Sequence, residues 1–515
     1  MPKLPSWSLL TLVALMAMSV RAGDATGFRF LQQPGPFDVG LRVVQQYDNS
    51  RSFGDGSRPL QTLIWYPTAR GATGARMNYG DYMDLKSTDP AMGEVRQQVG
   101  ISGWFEAGRD VARGDSMWAK RDAATASGRF PVVIYAPSFN STSWENADLC
   151  EYLASHGYLV IASPGMGVQR ESTHDLAGVE AQARDISFLV GYAGTLPSAD
   201  PTHVAVVGFS WGGLANVIAA ARDTRIDALV ALDGSVRYWP GIISQATDVR
   251  TENFTIPLMF FFGQGTVESQ ELLEKQSPLV RGPSVLNAWV HGDLVSIRML
   301  GMSHPQFNSR TQRNERFFQY EFSQQQLFDY DRNDGIVGYA WVARYTRAFL
   351  DDRLKVDGAA RQFLEANPKD NGVPAHTLKV DIGIAEPKPY SLADFQAEVS
   401  RRGFEHVREV FAEVQKSHPE LKIEAGDITR WGYERLSAGK AREAVSLMRL
   451  AIQLEASGSN YMGLAESYER SGDKAHAVEN YREARKRDPE NIVVNTMAKE
   501  RLAALAPSSA TPASR

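Results

Sequence analysis

From Phe130 onward the apolar residues alternate between short continuous runs and longer stripes at helical spacing. Val132–Ala136 is an uninterrupted apolar run suited to a buried strand, and Asn146–His156 follows with helical spacing. Gly157 stands just past that helix, where a left-handed residue closes the last turn and only glycine enters it cheaply. Leu159–Ala162 reads as the next strand, and Val179, Ala183, Ile186, Leu189 and Val190 make one stripe along a helix over Val179–Tyr192. Strand His203–Gly208, helix Gly212–Arg222, and strands Ala228–Leu232 and Pro257–Phe262 complete the run. Strands that are apolar throughout are covered on both faces, so the pattern predicts an α/β fold with a mostly parallel sheet flanked by helices.

Either side of this core the pattern changes. Val39–Gln46 and Leu60–Tyr66 are β-branched or alternating and read as strands. Residues 68–129 are Gly-rich and irregular, and read as an insertion, either part of a lid over the active-site side or a packed surface excursion. Residues 361–390 hold Pro368, Pro374, Pro387 and Pro389 with little periodicity and read as a linker, which bounds a first domain at 28–360. Residues 391–505 are helical and repeat: Gly439-Lys-Ala-Arg-Glu-Ala-Val445 recurs as Gly472-Asp-Lys-Ala-His-Ala-Val478, an offset of 472 − 439 = 33 residues. A Gly turn, a helix opening on Ala-x-x-Ala-Val and a closing Asp488-Pro489 resemble tetratricopeptide repeats, whose period is about 34. Leu392–Glu420 supplies a candidate preceding helix pair, and the Ser/Pro/Ala-rich tail 506–515 reads as disordered. The repeats are expected to bind a protein partner or to be a small packing module.

Composition narrows the setting. A net charge of −5 gives no electrostatic case for nucleic acid. Lys3, the apolar run Leu9–Val20 and the small residues around Ala22 read as a signal peptide over 1–22, the alternative being an uncleaved anchor. No later segment is apolar enough for an integral membrane span, so the mature chain is expected to be exported, periplasmic or secreted. Cys150 is the one cysteine, which excludes an internal disulfide and a Cys-based zinc site; it reads as buried filler rather than a nucleophile.

The chemistry lies in Gly208-Phe-Ser-Trp-Gly-Gly213. Gly-x-Ser-x-Gly between a strand and a helix is a nucleophile elbow: the chain turns so sharply that Ser210 Oγ stands above the sheet, and flanking side chains would clash. A serine is a weak nucleophile without a base and an acid to orient it, and in such elbows these follow in the order serine, acid, histidine. Of nine histidines, His304 lies in a loop just after the apolar strand Leu294–Leu300; His291 is its rival. For the acid, Asp233 closes strand Ala228–Leu232, 233 − 210 = 23 residues past the serine, and Glu268 follows the next strand.

Three segments together resemble the platelet-activating-factor acetylhydrolase family: the elbow at 208–213, Ala231-Leu-Asp-Gly234, and Ser303-His-Pro-Gln-Phe307. Leu153–Val160 is similar to that family's helix-to-strand segment. The resemblance covers roughly residues 35–350 and says nothing of the C-terminal repeats. It implies an α/β-hydrolase fold, and it places nucleophile, acid and base at Ser210, Asp233 and His304. A dienelactone-hydrolase-like enzyme is a near variant, although that group has a Cys nucleophile where this chain has Ser210.

An oxyanion hole needs two backbone N–H groups; Trp211, after the nucleophile, offers one. By position in the family's pattern Phe139 offers the other, although the usual His-Gly pair is here Pro137-Ser138. Phe139, Trp144, Met166 and Trp211 are candidate pocket walls, the alternative for each being simple core. The implied activity is acyl transfer from a small or short-acyl ester, lipid and polyester included, with no metal or organic cofactor. The competing reading is a scaffold whose repeats bind a protein and whose hydrolase domain is vestigial.

Overall fold

The computed structural model describes residues 27–86, 112–169, 171–263, 285–317 and 330–506. The signal segment 1–22, the stretch 87–111 of the insertion, Glu268 and all of the tail after Ala506 lie outside the described residues. The chain divides into two compact units, one ending at Pro387 and one beginning at Lys388.

The continuous apolar runs form the middle of one sheet. Its strands are β1 (Asp38–Phe53), β2 (Gly56–Thr68), β3 (Arg76–Asn78), β4 (Ser116–Arg121), β5 (Phe130–Ala136), β6 (Leu159–Ala162), β7 (Ala199–Phe209), β8 (Ala228–Leu232), β9 (Leu258–Phe262), β10 (Leu294–Met299) and β11 (Leu378–Gly383). Their order is β11-β10-β9-β8-β7-β5-β6-β2-β1-β4-β3. The neighbours from β10 to β6 pair in parallel, and β2 joins β6 antiparallel.

The helices of this unit include α1 (Tyr79–Met83), α2 (Ala147–Ser155), α3 (Leu176–Ala193), α4 (Gly212–Arg222), α5 (Pro240–Gln245), α6 (Ser309–Gln312), α7 (Arg332–Lys355) and α8 (Gly358–Glu365). They explain why the strands are apolar on both sides. On one face Val133, Tyr135, Ala205 and Val207 pack with Leu149 and Leu153 of α2 and with Tyr339, Val342 and Phe349 of α7. On the other Val132, Ile134, Val204 and Val206 pack with Val179, Ile186 and Leu189 of α3 and with Leu214 and Ile218 of α4. A buried aliphatic side chain of this kind contributes about 1.5–3 kcal/mol relative to exposure.

Strand order also locates a site. β5 lies between β6 and β7, so the chain leaves β5 toward one side of the sheet and later returns to the other. Where the order reverses in this way, the loops after the two strands diverge and open a crevice at their carboxyl ends. Here those loops carry Phe139 and Ser210.

Two expectations need correction. The stretch 361–390 is no simple linker: it holds the end of α8 and all of β11, which pairs antiparallel with β10. Ile382 of β11 is largely exposed, because an edge strand covers little, and the surrounding prolines mask its short alternation. The described part of the 68–129 insertion is sheet edge: β4 runs parallel to β1 and β3 antiparallel to β4. Hydrogen bonds pin it to β2 and α2, with Trp65 Nε1 of β2 donating to Tyr82 (2.7 Å), Tyr82 donating to Glu151 of α2 (2.7 Å) and Trp118 N donating to Glu151 (2.6 Å).

The second unit is helical. Its helices are α9 (Leu392–Arg402), α10 (Val407–Ser417), α11 (Ala425–Ser437), α12 (Ala441–Leu454), α13 (Gly458–Ser471), α14 (Lys474–Arg487) and α15 (Ile492–Leu505). Gly439 and Gly472, the repeat's two turn glycines, have φ of 77° and 88°. Ala444, Ala451, Ala477 and Ala484, at matching repeat positions, are all fully buried, so small residues lie where the helices pack.

Candidate active site

Ser210 follows β7 directly and has φ 52°, a left-handed conformation that costs a non-glycine residue on the order of 1–3 kcal/mol. The surrounding backbone enforces it. Ser210 N donates to Leu232 O at 3.1 Å, and Ser235 N donates to Ser210 O at 2.8 Å. The flanking glycines are required by contact: a Cβ on Gly208 would lie 2.3 Å from Gly212 O, and one on Gly212 would lie 2.0 Å from Ala136 O.

Asp233 ends β8 beside the elbow, also left-handed at φ 43°, and its N–H donates to Phe261 O at 2.9 Å. The side chain is fully buried. Its Oδ2 lies 2.7 Å from His304 Nδ1, and His304 Nε2 lies 2.9 Å from Ser210 Oγ. His304 opens a short 3₁₀ turn after β10, with its ring packed 5.1 Å from that of Phe209. The three sequence-predicted residues therefore form one hydrogen-bonded line from carboxylate to imidazole to hydroxyl. The carboxylate on Nδ1 fixes the tautomer that leaves Nε2 free to accept the serine proton.

The alternatives fall elsewhere. His291 precedes β10, at the opposite end of that strand from His304, and its Nδ1 lies 3.0 Å from Glu386 O. Cys150 is buried in α2, and burial pushes its thiol pKa well above the ordinary value, so it is poorly suited to act as a thiolate nucleophile.

The backbone N–H groups of Phe139 and Trp211 donate to no acceptor among the described residues. Both residues border the elbow, where two free donors could receive a developing alkoxide. Of the four candidate walls, Phe139 and Trp211 meet with ring centroids 5.6 Å apart. Trp144 instead packs edge-on against Tyr79, and Met166 joins Phe53 and Leu60; both are core.

Sequence reasoning missed three contributors. Tyr238 donates its hydroxyl to Asp233 Oδ1 at 2.9 Å, so both carboxylate oxygens are engaged. The His174 ring stacks on Phe139 (4.0 Å, 5°) and lies 5.7 Å from Trp239, nearly parallel to it. Burial lowers the His174 pKa, against the nearby Asp175 charge, which favours the neutral ring. No motif marks Tyr238, His174 or Trp239; only the fold brings them to the elbow.

The profile of the "Alpha/beta hydrolase family" matches residues 133–413, more than half of the chain. The chain belongs to the alpha/beta hydrolase family. A protein of Synechocystis sp. named "Putative carboxymethylenebutenolidase" is 26% identical over 158 residues, 27% of this chain and 62% of that protein. The Salmonella typhi protein of the same name is 28% identical over 191 residues, 33% of this chain and 68% of that protein. These relatives lie on the dienelactone-hydrolase-like side of the resemblance, and this chain spans less than two thirds of the Synechocystis protein. A solved ferulic acid esterase from Streptomyces cinnamoneus aligns at 21% identity with a TM-score of 0.46, over 64% of this chain and 94% of that one.

Proposed function

We propose that this hydrolase is an exported serine carboxylic-ester hydrolase that works through an acyl-enzyme on Ser210. The observation that carries the reading is the hydrogen-bonded line Asp233–His304–Ser210. His304 takes the Ser210 proton as Oγ attacks the ester carbonyl, and buried Asp233 stabilises the imidazolium that results. The N–H groups of Phe139 and Trp211 receive the oxyanion, with Trp211 at the positive end of α4. Protonated His304 gives its proton to the leaving alcohol. Water then attacks the acyl-enzyme with His304 again as base, and the acid is released.

The aromatic walls favour small or short-acyl esters, and the N-terminal apolar run favours export. No helix among the described residues is long and apolar enough to cross a membrane. The helical unit, with its 33-residue echo, supports a tetratricopeptide-like role in partner binding or packing. The test is hydrolysis of p-nitrophenyl acetate, butyrate and octanoate by the protein and by Ser210→Ala. Turnover lost in the variant supports the reading, whereas no turnover by folded protein on any of these or on natural esters would refute it.

A further inference from the structure

The loop after β5 departs from the family pattern at Pro137-Ser138, and a buried carboxylate sits behind that departure. Glu145 is almost fully buried and has no cationic partner among the described residues. Its Oε2 accepts the Ser138 N–H at 2.8 Å and the Tyr135 hydroxyl at 3.2 Å, and its Oε1 makes a close hydrogen bond with Ser138 Oγ. Unpaired buried carboxylates are costly, so one that persists must be satisfied by such donors. Turning the Ser138 N–H inward leaves the next donor along the loop, Phe139 N–H, without an acceptor among the described residues.

Glu145 and the next residue, Asn146, also grip the histidine loop. Glu145 O accepts Arg310 N–H at 3.0 Å. Asn146 Nδ2 donates to Phe307 O at 3.2 Å, and Asn146 Oδ1 accepts Ser309 N–H at 3.0 Å and the Tyr339 hydroxyl at 2.5 Å. Phe307, Ser309 and Arg310 follow His304 by three to six residues. Some 160 residues apart in sequence, the loop bearing one oxyanion donor and the loop bearing the base thus share one anchor.

We infer that Glu145 and Asn146 are positioning residues: Glu145 sets the Phe139 N–H for the oxyanion, and Asn146 holds that loop in register with His304. Neither touches the reacting atoms. The inference rests on the serine-esterase reading and goes beyond it by assigning how the second oxyanion donor is held where the His-Gly pair is missing.

The test compares the full chain with Glu145→Gln, Glu145→Ala, Ser138→Ala and Asn146→Ala on p-nitrophenyl butyrate, with melting temperatures measured alongside. A misplaced oxyanion donor costs transition-state stabilisation and leaves ground-state binding intact. Glu145→Ala is therefore expected to lose roughly tenfold to a hundredfold in kcat with KM little changed. Glu145→Gln keeps an acceptor for the Ser138 N–H and should recover most of that loss. Ser138→Ala, which keeps the backbone donor, should lose less than Glu145→Ala, and Asn146→Ala should also lower kcat at constant KM. If Glu145→Ala fails to fold, the kcat of Ser138→Ala and Glu145→Gln decides. Wild-type kcat in the folded variants, or losses confined to KM or melting temperature, would overturn the inference while leaving the esterase reading in place. A wild-type protein inactive on every ester would overturn both.

Discussion

Replacing Asp233 by Asn is the sharpest perturbation of the site, because it keeps the side chain's shape and removes its charge. Asp233 is fully buried, and both of its oxygens are used, by His304 Nδ1 at 2.7 Å and by the Tyr238 hydroxyl at 2.9 Å. Tyr238 supplies a donor, so an Asn at this place would turn its oxygen to Tyr238 and its NH₂ toward His304. The imidazole must then accept at Nδ1 and carry its proton on Nε2, where it can no longer accept from Ser210. The imidazolium formed in the transition state also loses its buried counter-charge. For a triad of this geometry the loss is about 10⁴ in kcat, close to 5 kcal/mol of transition-state stabilisation. The assay is kcat on p-nitrophenyl butyrate at pH 7.5, with the melting curve as a control for folding. A folded Asp233→Asn that keeps kcat within about tenfold of wild type would refute the tautomer argument. A large loss in Glu268→Gln, expected to be near neutral, would move the acid to Glu268.

Tyr238→Phe removes one hydrogen bond from the Asp233 carboxylate; kcat should fall by roughly tenfold and stability by about 1–2 kcal/mol, read by steady-state kinetics and urea unfolding. Glu151 is pushed up to about 7, chiefly by burial, so the folded protein holds a proton there that the unfolded chain releases above its ordinary value of 4.5. Its contribution to stability is therefore full below pH 4.5 and is lost as pH rises toward 7, and Glu151→Gln should flatten the melting temperature between pH 5 and 7.5 relative to wild type. His156, lowered to about 4 mainly by burial, has the opposite sign: its stabilisation is present above the ordinary 6.5 and disappears as pH falls through 4. His156→Gln should accordingly blunt acid unfolding in the pH 6 to 4 window, measured by circular dichroism.

What could be read from the sequence follows physical lines. Gly212–Arg222 is found at the predicted bounds, and Ala228–Leu232 likewise, because both are short, rich in apolar residues and punctuated by turn residues. The elbow serine, its acid and its base are legible because strand–turn–helix order constrains them locally, and the structure brings the three into hydrogen-bond reach. Strand β7 begins at Ala199, earlier than expected, since its polar first residues give no periodic signal while their backbone still pairs with β5. The edge strands β3 and β11, and β4 beside β3, are not legible in the sequence because their register is set by a neighbour rather than by their own burial. Tyr238, His174, Trp239 and Glu145 reach the site only through folding, so no spacing in the chain announces them. The 33-residue echo announced helices, and helices are found, with the two turn glycines in equivalent left-handed conformations.

Covalent capture tests whether Ser210 is the nucleophile. The protein is treated with an alkyl fluorophosphonate, digested, and the modified residue located by mass spectrometry. A single adduct is expected on the peptide carrying Ser210, absent in Ser210→Ala and strongly slowed in Asp233→Asn. An adduct on another residue, or undiminished labelling of Ser210→Ala, would contradict it.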